Sequence, residues 1–190
     1  MKKHSASPVS FGLWIYILSD CVLFATLFAA YAVLHAETAT GPSGAVLFSL
    51  PFVLLETLVL LTSSFACGMA IVATERKSLA GIWAGLVSTL LLGFGFVALE
   101  LHEFRGLIAE GHGWQQSAFL SSFFALVGTH GLHVFVGALW LVTLLGYLSV
   151  RGLTDRLAGR IRLFALFWHF LDIIWICIFS FVYLLGSLTL

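Results

Sequence analysis

The chain has 190 residues, 61% of them hydrophobic and 9% charged, with a mean hydropathy of +1.07. Soluble domains carry about a quarter charged residues, so this composition excludes a soluble globular protein and describes an integral membrane protein. Nine Lys and Arg balance nine Asp and Glu, which leaves no basic or acidic field for a nucleic-acid partner.

The first apolar run follows Lys2 and Lys3 and contains Ala30, Tyr31 and Ala32, the shape of a signal-peptide cleavage site. The run is too long for a signal peptide and Asp20 interrupts it, so it is expected to be retained as a span. A bilayer crossing needs about 20 mostly apolar residues. Five such stretches follow one another at about 11–34, 50–74, 79–101, 119–150 and 161–188. The connections HAETATGPSG, ERKS, HEFRGLIAEGHGWQQ and RGLTDRLAGR are short and polar or contain glycine, as between neighbouring antiparallel helices. The expected fold is therefore all-α, a polytopic bundle of five transmembrane helices making one transmembrane domain over residues 1–190. Lys2, Lys3, Arg76, Lys77, Arg151, Arg156, Arg160 and Arg162 fall on one side of such a bundle and Arg105 alone on the other. The positive-inside rule then puts the N-terminus inside and the C-terminus outside.

Helices in lipid associate by close backbone approach at small residues. Gly81, Gly85, Gly93 and Gly95 in the third span and Gly128, Gly131 and Gly137 in the fourth mark such faces. The fifth span is bulky, with Phe164, Phe167, Trp168, Phe170, Trp175, Phe179 and Phe181, so small faces are expected to meet a large one. Cys21, Cys67 and Cys177 lie in separate apolar runs without a Cys-x-x-Cys pair and read as small hydrophobes.

An ionisable group in the bilayer core costs about 2.5–3.5 kcal/mol and calls for a partner. The candidates are Asp20 in the first span, Glu56 in the second, Glu100 in the third, His130 and His133 in the fourth, and His169 with Asp172 in the fifth. The three-residue spacing puts His130 with His133 on one helix face and His169 with Asp172 on another, and both pairs fall near the middle of a core of ~30 Å. Two readings stand. The four can form an interhelical polar network that leaves no buried group unpaired, with Thr129 and Trp side chains contributing. Alternatively, three imidazoles and a carboxylate can ligate zinc, iron or copper in an independent membrane metalloenzyme. The motifs are His-x-x-His and His-x-x-Asp rather than the Glu-x-x-His of carboxylate-bridged di-iron bundles, which favours the network. Asp20 is expected to be neutral or paired with another helix, a proton-relay role being the functional alternative. Glu56 and Glu100 are expected towards the outer interface with Glu103, Arg105 serving as counter-ion.

GTHGLHV in the fourth span, WHFLDIIWI (168–176) in the fifth, PFVLLETLVLLTSS in the second and WIYILSDCVLF in the first together resemble the subunit III family of the haem-copper oxidases. The resemblance runs over almost the whole chain. The five-span form is most similar to the branch serving bacterial cytochrome bo-type ubiquinol oxidases, since members serving cytochrome c oxidase usually have seven spans. A five-span branch associated with nitric oxide reductase is a close alternative. The resemblance implies a non-catalytic subunit of a proton-pumping complex in a bacterial inner membrane, which oxidises ubiquinol and reduces oxygen. It implies no catalytic, haem or copper residue in this chain, those cofactors belonging to subunit I as the main contact. It also implies contacts with other oxidase subunits and a phospholipid in a cleft. His130, His133, His169 and Asp172 then look like the family's interhelical network, and Asp20, Glu56 and Glu100 like buried carboxylates at an interface or lipid cleft. Asp20 matches the position of a carbodiimide-reactive glutamate in mitochondrial-type members, one methylene shorter here.

Overall fold

The first helix, α1 (Pro8–Leu34), touches the rest of the protein along one narrow stripe, Ile17, Asp20, Phe24 and Tyr31, while its other faces are open. The structure, a computed structural model, describes residues 8–38 and 49–188, with side chains to residue 186. Lys2, Lys3 and most of the first connection lie outside the described residues. Four more long helices follow: α2 (Leu50–Glu75), α3 (Leu79–Ala109), α4 (Ala118–Arg151) and α5 (Asp155–Ile178). The last continues through a π-helical segment, Phe179–Leu184, into a short α-helical turn, Leu185–Leu188. All five are long and apolar enough to cross a membrane, and the described residues include no strand.

Local chemistry sets the helix ends. Ser78, Ser117 and Thr154 precede α3, α4 and α5, and each side chain accepts a hydrogen bond from the backbone N–H three residues on, satisfying a donor that the helix cannot. Pro51 occupies the first turn of α2, where a missing N–H costs nothing. Gly152, at φ 63°, closes α4. The third helix runs to Ala109, eight residues beyond the apolar stretch, because LHEFRGLIA contains no proline and its Gly106 keeps helical backbone, so that the chain leaves the helix only before Gly111 at φ 86°. His102, Glu103 and Arg105 are therefore helical residues, not parts of a loop. The fifth helix likewise begins at Asp155, after its Thr154 cap and six residues ahead of its apolar stretch.

The most extensive contact joins α2 and α3, linked by the tight turn at Arg76–Ser78. A Cβ at Gly85 would lie 2.8 Å from the Ala70 Cβ and 2.9 Å from the Ala66 carbonyl oxygen, so the two backbones meet there as glycine alone allows. The fifth helix packs against α1, α2 and α4 and carries the largest buried side chains, Trp168, Trp175 and Tyr183. Small faces do meet this large one: Cβ atoms at Gly93 of α3 and Gly137 of α4 would stand 2.8 and 3.0 Å from the Trp168 ring. Gly95 differs, its nearest neighbour being Val59 at 4.0 Å. With hydrocarbon as solvent, this close packing and the hydrogen bonds below are what hold the bundle together.

Candidate functional site

The buried stripe of α1 brings Asp20 to His133 of α4, with Nε2 to Oδ2 at 3.6 Å. His133 Nδ1 lies 2.7 Å from the Thr129 carbonyl oxygen. A carbonyl only accepts, so Nδ1 carries the proton and Nε2 presents a lone pair when the ring is neutral. Nε2 then faces Asp20 across a gap longer than a hydrogen bond, a polar contact that joins α1 to α4 at mid-helix. The side chains are 13% and 8% exposed, so this is an interior contact. Thr129 contributes its backbone, not the hydroxyl expected from sequence.

The fifth-helix pair forms a second, separate site. His169 Nδ1 is 2.5 Å from Ser64 Oγ of α2 and 3.8 Å from Asp172 Oδ2. One ring nitrogen faces both partners. A Ser–His–Asp catalytic arrangement needs the serine and the carboxylate on opposite nitrogens, so this geometry orients the imidazole but does not activate Ser64. Asp172 itself is buried.

His130 joins neither site. It is fully buried, and neither ring nitrogen has a hydrogen-bond partner among the described residues. Its ring stacks on Trp175 at 5.1 Å and 29°, with Phe96 edge-on at 5.8 Å and Phe24 at 6.3 Å. It packs as an aromatic residue. The four residues expected as one network are thus divided into an α1–α4 contact, an α2–α5 contact and an aromatic stack. The 3.6-residue period turns His130 and His133 about 60° apart, enough to direct them at different neighbours. Among the described residues no three His, Cys, Asp or Glu are grouped so as to hold a metal ion, and the divided histidines do not fit the ligand set that the metalloenzyme reading requires.

Glu56 and Glu100, expected as buried carboxylates with partial hydration near an interface, are 0% and 3% exposed within this chain. Glu100 presses its carboxylate onto the α4 backbone at Gly131, where a Cβ would overlap it. Glu56, Glu100 and Glu103 lie within electrostatic reach of one another and of Tyr183, whose hydroxyl donates to Glu103 Oε2 at 2.9 Å. Arg105 is exposed and makes no ion pair with them.

The Trp side chains expected to contribute do so, but their partners on α2 were not anticipated from sequence. Trp168 Nε1 donates to Ser63 Oγ and Trp175 Nε1 to Thr57 Oγ1, both at 3.0 Å. With Ser64–His169 these make a ladder from α2 to α5, to which Thr89 of α3 adds a bond to the Ser63 carbonyl oxygen at 3.2 Å. The seven-residue spacings Thr57–Ser64 and Trp168–Trp175 were the available signal, since seven residues return to one helix face. Tyr183, on the π-helical segment, had no such signal.

The profile of the cytochrome c oxidase subunit III family matches residues 3–187. The chain belongs to that family. It is 53% identical over 186 residues to cytochrome bo(3) ubiquinol oxidase subunit 3 of Pseudomonas aeruginosa, covering 97% of this chain and 88% of the relative. The quinol oxidase subunit 3 of Bacillus subtilis is 46% identical over 175 residues, 92% and 86% of the two chains. The cytochrome c oxidase subunit 3 of Bacillus sp. (strain PS3) is 43% identical over 177 residues, 92% and 84%. In this subunit III chain the motifs that carried the resemblance are those forming the ladder and the α1–α4 contact.

Proposed function

We propose that this chain is the non-catalytic third subunit of a terminal ubiquinol oxidase, a proton-pumping haem-copper enzyme of a bacterial inner membrane, and that it stabilises the assembled complex. The observation that carries this is the 53% identity, over nearly the full chain, to a relative named as cytochrome bo(3) ubiquinol oxidase subunit 3. Haem and copper, and the oxygen chemistry they supply, would reside in subunit I. The separation of His130, His133 and His169 into three environments supports this, because a transition-metal site needs its ligands converging. The whole chain would act as one transmembrane domain packed beside subunit I.

In this reading the end bearing Arg76, Lys77, Arg151, Arg156, Arg160 and Arg162 faces the cytoplasm. The interhelical contacts of His133, Asp20, His169 and Asp172 act as structural locks. A groove of about 720 Å³ between α1 and the end of α5, lined by Ala25, Phe28, Ala32, Cys177 and Phe181 with His35 at its rim, suits a phospholipid acyl chain. Its walls are apolar, and His35 stands at the end of α1, level with headgroups.

A specific observation keeps a second electron donor in view: the 43% identical relative is named for cytochrome c oxidase. Purification in mild detergent through a tag on this chain tests both. The expected result is haem and copper in co-purifying larger subunits, none in the separated chain, and oxygen uptake with ubiquinol but not reduced cytochrome c. Uptake with cytochrome c alone would favour the second donor. Stoichiometric metal retained by the separated chain would refute the accessory role.

A further inference from the structure

The groove between α1 and the end of α5 has a wall that an uninterrupted α-helix could not build. Cys177 and Gly186 both line it, although they are nine residues apart. In an α-helix that separation is about two and a half turns and puts them on opposite faces. The π-helical segment Phe179–Leu184 lies between them. Its i to i+5 pattern takes up one residue more than an α-turn, so the chain beyond it is turned back by about 100°. Gly186 is thereby brought round to the groove, at the bearing that Leu185 would hold in a continuous α-helix. Phe181 and Leu185, which also line the groove, follow Cys177 along one edge, and a residue with no side chain borders the other.

The same extra residue directs Tyr183 inward. Its ring lies 6.2 Å from that of Trp175, eight residues earlier on the buried face, and its hydroxyl donates to Glu103 Oε2 of α3 at 2.9 Å. Eight α-helical residues would leave Tyr183 about 80° from the Trp175 face, whereas one residue absorbed leaves it about 20° away. On the groove side, Tyr31 of α1, itself a lining residue, donates from its hydroxyl to the Val182 carbonyl oxygen at 3.5 Å. The segment is thus held from both sides. From these observations, and resting on the phospholipid reading of the groove above, we infer that the π-helical turn keeps the groove open, with Gly186 as the residue that decides what it admits and the Tyr183–Glu103 bond as the latch on the register. In the α register Leu185 takes the place of Gly186 and Tyr183 leaves Glu103, so the groove narrows at its Gly186 edge. An acyl chain seated in the groove favours the π register by as much as that register favours the acyl chain.

The test uses the full chain in native membranes. A photo-activatable residue replaces Ala29, which lines the groove from α1, with Leu132, exposed on α4, as the comparison, and phospholipid adducts are counted by mass spectrometry. Deleting Ser180 returns the segment to the α register, and Gly186→Leu places bulk at the open edge without changing the register. Each should remove the phospholipid adducts at position 29 and leave those at position 132. Glu103→Leu removes the acceptor of the latch and should lower the adducts at position 29 about three- to twentyfold, the range of one interhelical hydrogen bond in a membrane. Glu103→Gln keeps an oxygen that accepts from Tyr183 and should recover most of the loss. Adducts at position 29 that match the parent in both Gly186→Leu and Glu103→Leu overturn the inference, whether or not the deletion variant folds. A parent with no phospholipid adduct at position 29 overturns the phospholipid reading of the groove as well. A chain that gives the expected adducts but never co-purifies with haem-bearing subunits supports the inference and overturns the accessory-subunit reading alone.

Discussion

Replacing Asp20 separates hydrogen bonding from charge at the α1–α4 contact. His133 Nδ1–H is committed to the Thr129 carbonyl, which leaves Nε2 facing Asp20 Oδ2 at 3.6 Å. Asp20→Ala leaves Nε2 buried and opposite a void. One interhelical hydrogen bond in a membrane is worth about 0.6 kcal/mol on average and about 1.7 at most, and an orphaned buried group adds to this. Because Asp20 is one of four buried residues attaching α1, the loss should be about 1–2 kcal/mol, a fall of roughly 2–8 °C in the midpoint for a chain of this size. Asp20→Asn has nearly the same volume, and its amide can donate to Nε2, so it should stay within about 0.5 kcal/mol of the parent. The assay is stepwise heating of the purified complex, following the fraction of this chain retained. If Asn proves as damaging as Ala, the contact works through charge and the tautomer argument is wrong. If neither variant changes the midpoint, the contact holds nothing.

Three further outcomes are expected. Gly131→Ala drives a methyl group into the buried Glu100 carboxylate and should cost about 1–3 kcal/mol, as overpacking does, whereas Gly106→Ala, helical and with nothing near its Cβ, should be neutral or stabilising by up to about 1 kcal/mol in the same melting assay. Tyr183→Phe deletes the donor to Glu103 Oε2 and should destabilise by about 0.5–1.5 kcal/mol, read by denaturant titration of the purified subunit; no change would mean that the glutamate has another donor. Single cysteines at Lys77 and at Glu110 should react with a membrane-impermeant maleimide from opposite faces of inverted and right-side-out vesicles, Lys77→Cys from the cytoplasmic face. Labelling of both from one face would contradict the five-span topology.

Composition alone determined that this is a membrane protein, and the spacing of apolar runs determined five helices, because in hydrocarbon every backbone group must be satisfied within a helix or a closed barrel. Residue type also foretold that small faces of α3 and α4 would meet the Trp-rich fifth helix, as Gly93 and Gly137 do, since only small residues admit an indole so close, whereas Gly81 and Gly85 pack on α2 and Gly131 on Glu100. Which polar groups meet was a matter for tertiary structure. A three-residue step places His130 and His133 on one broad face, but rotation about each helix axis and the crossing of α1, α3 and α5 decide that one ring stacks on Trp175 while the other faces Asp20. The burial of Glu56 and Glu100 has the same origin: nearness to a helix end suggests water, yet packing against Gly131 and the π-helical turn at Tyr183 excludes it. Sequence period fixes the direction of a side chain relative to its own helix, and only the assembled bundle fixes what stands in that direction.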